Sequence, residues 1–136
     1  MEHQADALKE RTKQFALRVI RVIRSLPPGM EGKTIGHQLL RSGMSVAANY
    51  RAACRARSRP EFLAKLAIVI EEADESEFWL EMLADAGLIP ERKLKDLRSE
   101  ANQLVAIFNA SRTTAKKGVQ SAINNQQSTI PRKRAS

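Results

Sequence analysis

Residues 60–86 read PEFLAKLAIVIEEADESEFWLEMLADA, and the pattern of this stretch decides the fold. At 100° per residue, Phe62, Leu66, Val69, Ala73, Leu80 and Leu83 fall on one stripe. Ala64, Ile68, Phe78, Trp79 and Met82 form a second. A period near 3.6 residues is that of an α-helix, and a helix apolar on two sides is buried on two sides. Pro60 suits a first helical turn and Glu61 suits the positive end of the helix. In a chain this short, the second side wants a partner. Ile68, Phe78, Trp79 and Met82 are therefore expected to form a subunit interface. Glu71, Glu72 and Glu75 lie among them.

Outward from this stretch, prolines and glycines cut the chain into segments of similar character. Pro27-Pro28-Gly29 lies before one boundary, and Gly87 with Pro90 marks another. Residues 5–25 carry Leu8, Phe15, Val19, Val22 and Ile23 on one side. Residues 33–57 carry Ile35, Leu39, Val46, Tyr50 and Ala53, with Ser42 and Asn49 continuing the same spacing. Gly36, Gly43, Ala47 and Cys54 align on a neighbouring strip, where small residues let another helix come close. Residues 90–117 carry Leu94, Leu97, Ala101, Leu104, Val105 and Phe108. Loops this short join antiparallel neighbours. The expected fold is all-α, an antiparallel up-down-up-down four-helix bundle over residues 1–117. Residues 118–136, rich in Gln, Ser and Asn and ending Pro131-Arg132-Lys133-Arg134, are expected to be a disordered basic tail.

Composition narrows the function. One cysteine, Cys54, permits no intrachain disulfide, and two histidines, His3 and His37, cannot complete a Cys/His zinc set. A di-iron bundle needs Glu-x-x-His pairs on two helices, and neither histidine supplies one. No metal and no cofactor is expected. Ser42, Ser45 and Asn49 have no nearby histidine to act as base, and no glycine-rich phosphate loop or nucleophile elbow occurs. No enzyme is expected. No apolar run approaches the roughly 20 residues of a membrane span. The polar N-terminus does not read as a signal peptide, so a cytoplasmic protein is expected.

Charge is what remains. The chain carries +8 in total, distributed as +8 over residues 1–59, −7 over 60–86 and +7 over 87–136. Arg11, Lys13, Arg18, Arg21 and Arg24 follow one another with no acid between them. Arg57 and Arg59 sit at the junction of the second and third helices, and Arg132, Lys133 and Arg134 in the tail. These ten cations are the candidate nucleic-acid contacts, since guanidinium groups bind phosphates bidentately. Arg51 and Arg55, well inside the second helix, are expected instead to form structural ion pairs with Glu71, Glu72, Glu75 or Glu61. No aromatic is interleaved among the cations, so phosphate contacts are expected without base stacking.

The run QLLRSGMSVAANYRAACRAR at 38–57, continued by SRPEFLAKL at 58–66, Glu71-Glu72-Ala73-Asp74-Glu75 and Phe78-Trp79-Leu80-Glu81, resembles a known family. It is similar to the four-helix bundle proteins encoded by intervening sequences in bacterial 23S ribosomal RNA genes. Arg11-Thr12-Lys13-Gln14-Phe15-Ala16-Leu17 fits the same pattern, and the likeness covers about residues 8–110. Met44 stands where that pattern has Thr, and the tail has no counterpart. The resemblance implies a four-helix bundle assembled as a homopentameric ring. It also implies a distant relative, the accessory protein of diversity-generating retroelements, a basic ring that works with a reverse transcriptase. Two functions follow as expectations. The first is a homo-oligomer that binds nucleic acid, RNA before DNA, through phosphate contacts. The alternative is a protein-interaction scaffold or accessory subunit of a reverse transcriptase or other enzyme.

Overall fold

The computed structural model describes residues 2–129. Four helices follow in order: α1 (Glu2–Arg24), α2 (Met30–Cys54), α3 (Arg59–Asp85) and α4 (Glu91–Thr129). Each packs against its neighbours in the sequence, and α4 closes the ring against α1 along a narrower contact. This is the expected antiparallel four-helix bundle.

The helix ends have local causes. α1 stops at Arg24, ahead of Pro27 and Pro28, which have no amide hydrogen to donate. Gly29, with φ 145°, opens α2 in a conformation that L side chains rarely adopt. The Ser58 hydroxyl caps α3 by accepting from Glu61 N at 3.2 Å, and the Glu61 carboxylate accepts from Arg57 N at 3.0 Å. That reciprocal arrangement resembles a capping box. At the other end of α3, Gly87 takes φ 71°, Gly87 N donates to Ala84 O and Leu88 N to Leu83 O, both at 3.0 Å. This is the Schellman ending, and it needs a residue free of a Cβ in the left-handed region.

The core is the set of stripes read from the sequence: Phe15 and Val19 from α1, Leu39 and Val46 from α2, Leu66, Val69, Leu80 and Leu83 from α3, Leu94, Leu104 and Phe108 from α4. Tyr50 and Phe108 meet with ring centroids 4.9 Å apart. Three hydroxyls are also fully buried. Thr12 donates into its own helix, within 2.9 Å of Leu8 O and 3.0 Å of Lys9 O. Ser42 and Ser76 lie 2.9 Å apart across the α2–α3 contact, and each also reaches a carbonyl of its own helix, Leu39 at 3.2 Å and Glu72 at 2.8 Å. All three are satisfied, as buried polar groups must be.

Two interhelical ion pairs brace the last helix. Arg11 forks onto Glu100 at 2.8 and 2.6 Å, tying α1 to α4. Arg98 joins Glu77 at 3.0 Å, tying α3 to α4.

The disordered tail expected over 118–136 is corrected in its first part. α4 continues to Thr129 without a break. Ala115 is the last buried residue, and of residues 116–127 all but the half-buried Val119 are exposed. Gly118 sits beside the Arg59 guanidinium at the start of α3, so the helix beyond it projects past the bundle. An apolar period was the wrong signal for this stretch. A helix already nucleated by its packed half propagates at little cost through residues of fair propensity, with no apolar stripe required. Residues 130–136 lie outside the described residues.

Gly36 and Gly43, both on the small-residue strip of α2, do different work. A Cβ at Gly43 would meet the branched end of Val19 at 2.8, 2.9 and 3.1 Å, so α1 and α2 touch there almost backbone to side chain. A Cβ at Gly36 would meet the tip of Leu26 at 2.7 Å, which can swing aside, and the tip of Ile23 at 3.5 Å, an ordinary contact. Gly→Ala gains up to about 1 kcal/mol of helix propensity, and overpacking costs about 1–3 kcal/mol. Gly36→Ala should therefore hold or raise the melting temperature, and Gly43→Ala should lower it. Thermal unfolding of the two single variants checks this. Equal shifts would mean that α1 is not held at Gly43.

Candidate nucleic-acid interface

The site is built where α2 ends and α3 begins. α2 buries Leu39, Ser42, Val46, Tyr50 and Ala53, which turns Arg51 and Arg55 outward. The short link 55–58 adds Arg57, and Lys65 comes from the second turn of α3. These four cations line one open depression of about 680 Å³, floored by Ala48 and Ala52. The single acid on its wall is Glu61, whose carboxylate accepts from the Arg57 backbone. Among the described residues, none of the four cationic side chains forms an ion pair.

This corrects the expectation that Arg51 and Arg55 pair with Glu71, Glu72, Glu75 or Glu61: Glu61 shares the depression but forms no ion pair with either among the described residues. The partner of Glu72 and Glu75 is Arg41, one nitrogen of which lies 3.2 Å from Glu72 while the other bonds Glu75. Glu71 is exposed and unpaired among the described residues. Antiparallel geometry explains the choice. Reflecting α2 through the link at 55–58 sets Arg41 opposite Glu72 and Arg51 opposite the first turns of α3. At 1.5 Å per residue, Glu72 then lies roughly 15 Å further along α3 than the level of Arg51. That reflection is the signal by which Arg41 could have been found in the sequence. Lys65 was also missed, because it stands alone in the acidic block and only the fold brings it to the arginines.

The basic residues of α1 do not form one surface with Arg57 and Arg59. Arg11 is spent on Glu100, whose hydrogen bond raises the guanidinium above its ordinary value. Lys13 lines a groove of about 470 Å³ between α1 and α2, over Leu17, Ile20, Met44 and Ala47, with Arg51 on its edge. At 100° per residue Arg18 falls on the flank of Arg11, Arg24 on the flank of Lys13, and Arg21 between them. Arg57 and Arg59 lie at the opposite end of the bundle, beside Gln4 and Ala5. From Ala5 to Arg24 is about 28 Å along the helix. Arg132, Lys133 and Arg134 lie outside the described residues.

Next to the basic depression is a cavity of about 520 Å³ at the same end of the bundle. Leu8, Tyr50, Ala53 and Phe62 form its apolar wall, and Gln4, Ser58 and Ser111 supply polar groups. Arg59 borders it, and Arg57 borders both it and the basic depression. Cys54 also faces this cavity, against the Tyr50 hydroxyl. Burial, with a smaller contribution from the thiol, pushes the Tyr50 phenol well above its ordinary value, so it stays protonated at any physiological pH.

On α3, the four residues expected at a subunit interface divide. Phe78 is 48% exposed and Ile68 36%. Trp79 and Met82 are half-buried against their own core, and the Trp79 indole donates to Glu75 at 3.1 Å. Among the described residues no three of His, Cys, Asp and Glu gather as a metal ion would require. No described helix is long and apolar enough to cross a membrane.

Residues 7–110 match the profile of the 23S rRNA-intervening sequence protein family. The chain belongs to that family. A solved structure supports the assignment: a protein of unknown function from the S23 ribosomal protein family of Bacteroides thetaiotaomicron. It is 30% identical, superposes with a TM-score of 0.72, and the match covers 76% of this chain and 96% of the other. Curated proteins yield no match. The family match ends at residue 110, within α4, so residues 111–129 of that helix lie outside it.

The Arg41 pair has a pH signature. The Arg41 hydrogen bond holds Glu75 below the usual carboxylate range, while burial pushes Glu72 above it. The stabilisation from Glu75 is present above the ordinary glutamate range and is lost as pH falls through its lowered value. The cost of ionising Glu72 is present at neutral pH and is relieved as pH falls through its raised value. Arg41 is 46% exposed, so solvent screening keeps its worth below about 1 kcal/mol. Arg41→Gln should lower the urea midpoint near pH 7 and regain more than the wild type does near pH 5. A loss that is the same at both pH values would show that the carboxylates do not depend on Arg41.

Proposed function

We propose that this protein binds nucleic acid, RNA in preference to duplex DNA, through phosphate contacts at the α2–α3 end of the bundle. One observation carries the reading: Arg51, Arg55, Arg57 and Lys65 share one concave surface with a single acid, Glu61, and among the described residues none of the four forms an ion pair. An excess of like charge on a concavity raises the local potential and attracts an anion. Guanidinium groups then grip phosphate oxygens in pairs. Lining the depression with alanines on α2 keeps the floor shallow, so a strand can lie across it. Such contacts fix a backbone in place without reading its sequence. The reading includes no catalytic step, metal or cofactor. The name of the family, from intervening sequences of ribosomal RNA, is what favours RNA as the strand.

The reading predicts a salt-steep affinity for a structured RNA, with a slope set by the number of phosphates neutralised. Arg51→Glu, Arg55→Glu and Lys65→Glu combined should weaken binding by at least tenfold and flatten the salt slope. Arg18→Glu, Arg21→Glu and Arg24→Glu combined change the net charge by the same amount at the far end of the bundle and should weaken it far less. Fluorescence anisotropy on protein stripped of co-purified nucleic acid gives both numbers. Equal losses would mean that net charge alone drives binding. No binding by the wild type at low salt would turn the basic surface toward an acidic protein partner, as in an accessory subunit.

The same reading has the chain acting as a homo-oligomer, with Phe78 and Ile68 of α3 as the anchors between copies. Phe78 and Ile68 are exposed large apolar side chains on one packed helix, ten residues apart, and theirs is area that association would remove from water. Phe78→Asp should shift the sedimentation profile to a smaller species while leaving the circular dichroism spectrum helical. An unchanged oligomer would place the contact elsewhere.

A further inference from the structure

We infer that the cavity beside Arg57 and Arg59 is a pocket for one unpaired nucleobase, so that the ligand is a strand with a loop or bulge rather than a continuous duplex. The inference rests on the proposed phosphate site and adds a second element to it. A base and its phosphate are separated by one sugar, so a base pocket must adjoin a phosphate site. Arg57 lines both depressions and makes them adjoin.

The cavity has the chemistry that a base requires. Leu8, Tyr50 and Phe62 give it apolar and aromatic walls, and Gln4, Ser58 and Ser111 supply hydrogen-bonding groups for a base edge. Its volume of about 520 Å³ lies within the roughly 300–1,000 Å³ of small-ligand clefts and leaves room for a single base. Single-stranded bases are recognised by stacking on aromatic rings or on arginine guanidinium planes. Phe62 is half-buried and reachable, and the exposed Arg59 guanidinium lies beside Gly118 of α4. In a duplex every base is stacked between its neighbours and none can enter.

The test uses the full chain with three RNAs carrying equal numbers of phosphates: a blunt duplex, a hairpin with an unpaired loop, and the same hairpin with 2-aminopurine in the loop. A DNA hairpin of matching sequence separates RNA from single-strandedness in general. The wild type should bind the loop hairpin roughly tenfold tighter than the duplex, as one stacked base contributes. The 2-aminopurine emission should quench on binding. Ala5→Leu narrows the cavity from the first turns of α1 without adding a ring, and Phe62→Leu keeps an apolar side chain but removes the ring. Both should erase the hairpin preference and the quench while retaining duplex affinity, which also shows that the variants are folded. Equal wild-type affinity for hairpin and duplex would overturn the base pocket and leave the phosphate site standing. A preference that survives in both variants would also overturn it. Failure of the wild type to bind any of the strands would remove the phosphate reading as well.

Discussion

The axial rotation of α2 is the constraint on which the other parts of the structure depend. This helix is pressed on both flanks. Gly43 admits Val19 of α1 so closely that a single added carbon would collide, and Ser42 meets Ser76 of α3 hydroxyl to hydroxyl. A rotation of α2 by even one side-chain position would drive a methyl into Val19 or strand two buried hydroxyls, each at a cost of one to a few kcal/mol. With the rotation set, Arg41 must face α3, and Arg51 and Arg55 must face outward. The ion pair on α3 and the basic depression at the bundle end are therefore two consequences of the same packing.

The acidic block of α3 takes its role from that geometry. Of its eight acids, Glu72, Glu75 and Glu77 engage arginines of the neighbouring helices, and Glu61 serves the helix start. Antiparallel pairing sets Arg41 level with Glu72 and Glu75, so those charges cancel locally. The link end has only Glu61, and its cations outnumber that acid and stay outside ion pairs. A charge-balanced middle and a basic end arise from one sequence block and one turn position. Pairs of this kind fix register more than they add stability, because partial exposure screens them.

Much of this was legible beforehand. The apolar stripes at 3.6-residue spacing named the core residues of all four helices, and the proline and glycine positions named the turns. The turn position of Arg57 marks it as a candidate site residue in the sequence. Arg51 and Arg55 were assigned to ion pairs, because the sequence shows acids on the next helix but not their level along it. The absence of aromatics between the cations argued against base contacts. Yet Phe62 lies one turn beyond Ser58, and the fold sets it and Tyr50 on the wall that Arg57 and Arg59 border. The continuation of α4 beyond residue 117 was hidden, since a solvated helical extension has no periodic burial to betray it.

The sequence by itself determined the helical class, the number of helices, the face each one buries, and the strong bias of charge along the chain. These are local properties, set by periodicity, turn residues and composition within a few turns of helix. Only the tertiary structure decided which charges meet. Ion pairing and concavity depend on distances between residues tens of positions apart, and those distances follow from helix register and rotation. Arg41 with Glu72, Arg11 with Glu100, and the shared surface of Arg51, Arg55, Arg57 and Lys65 all belong to that second category.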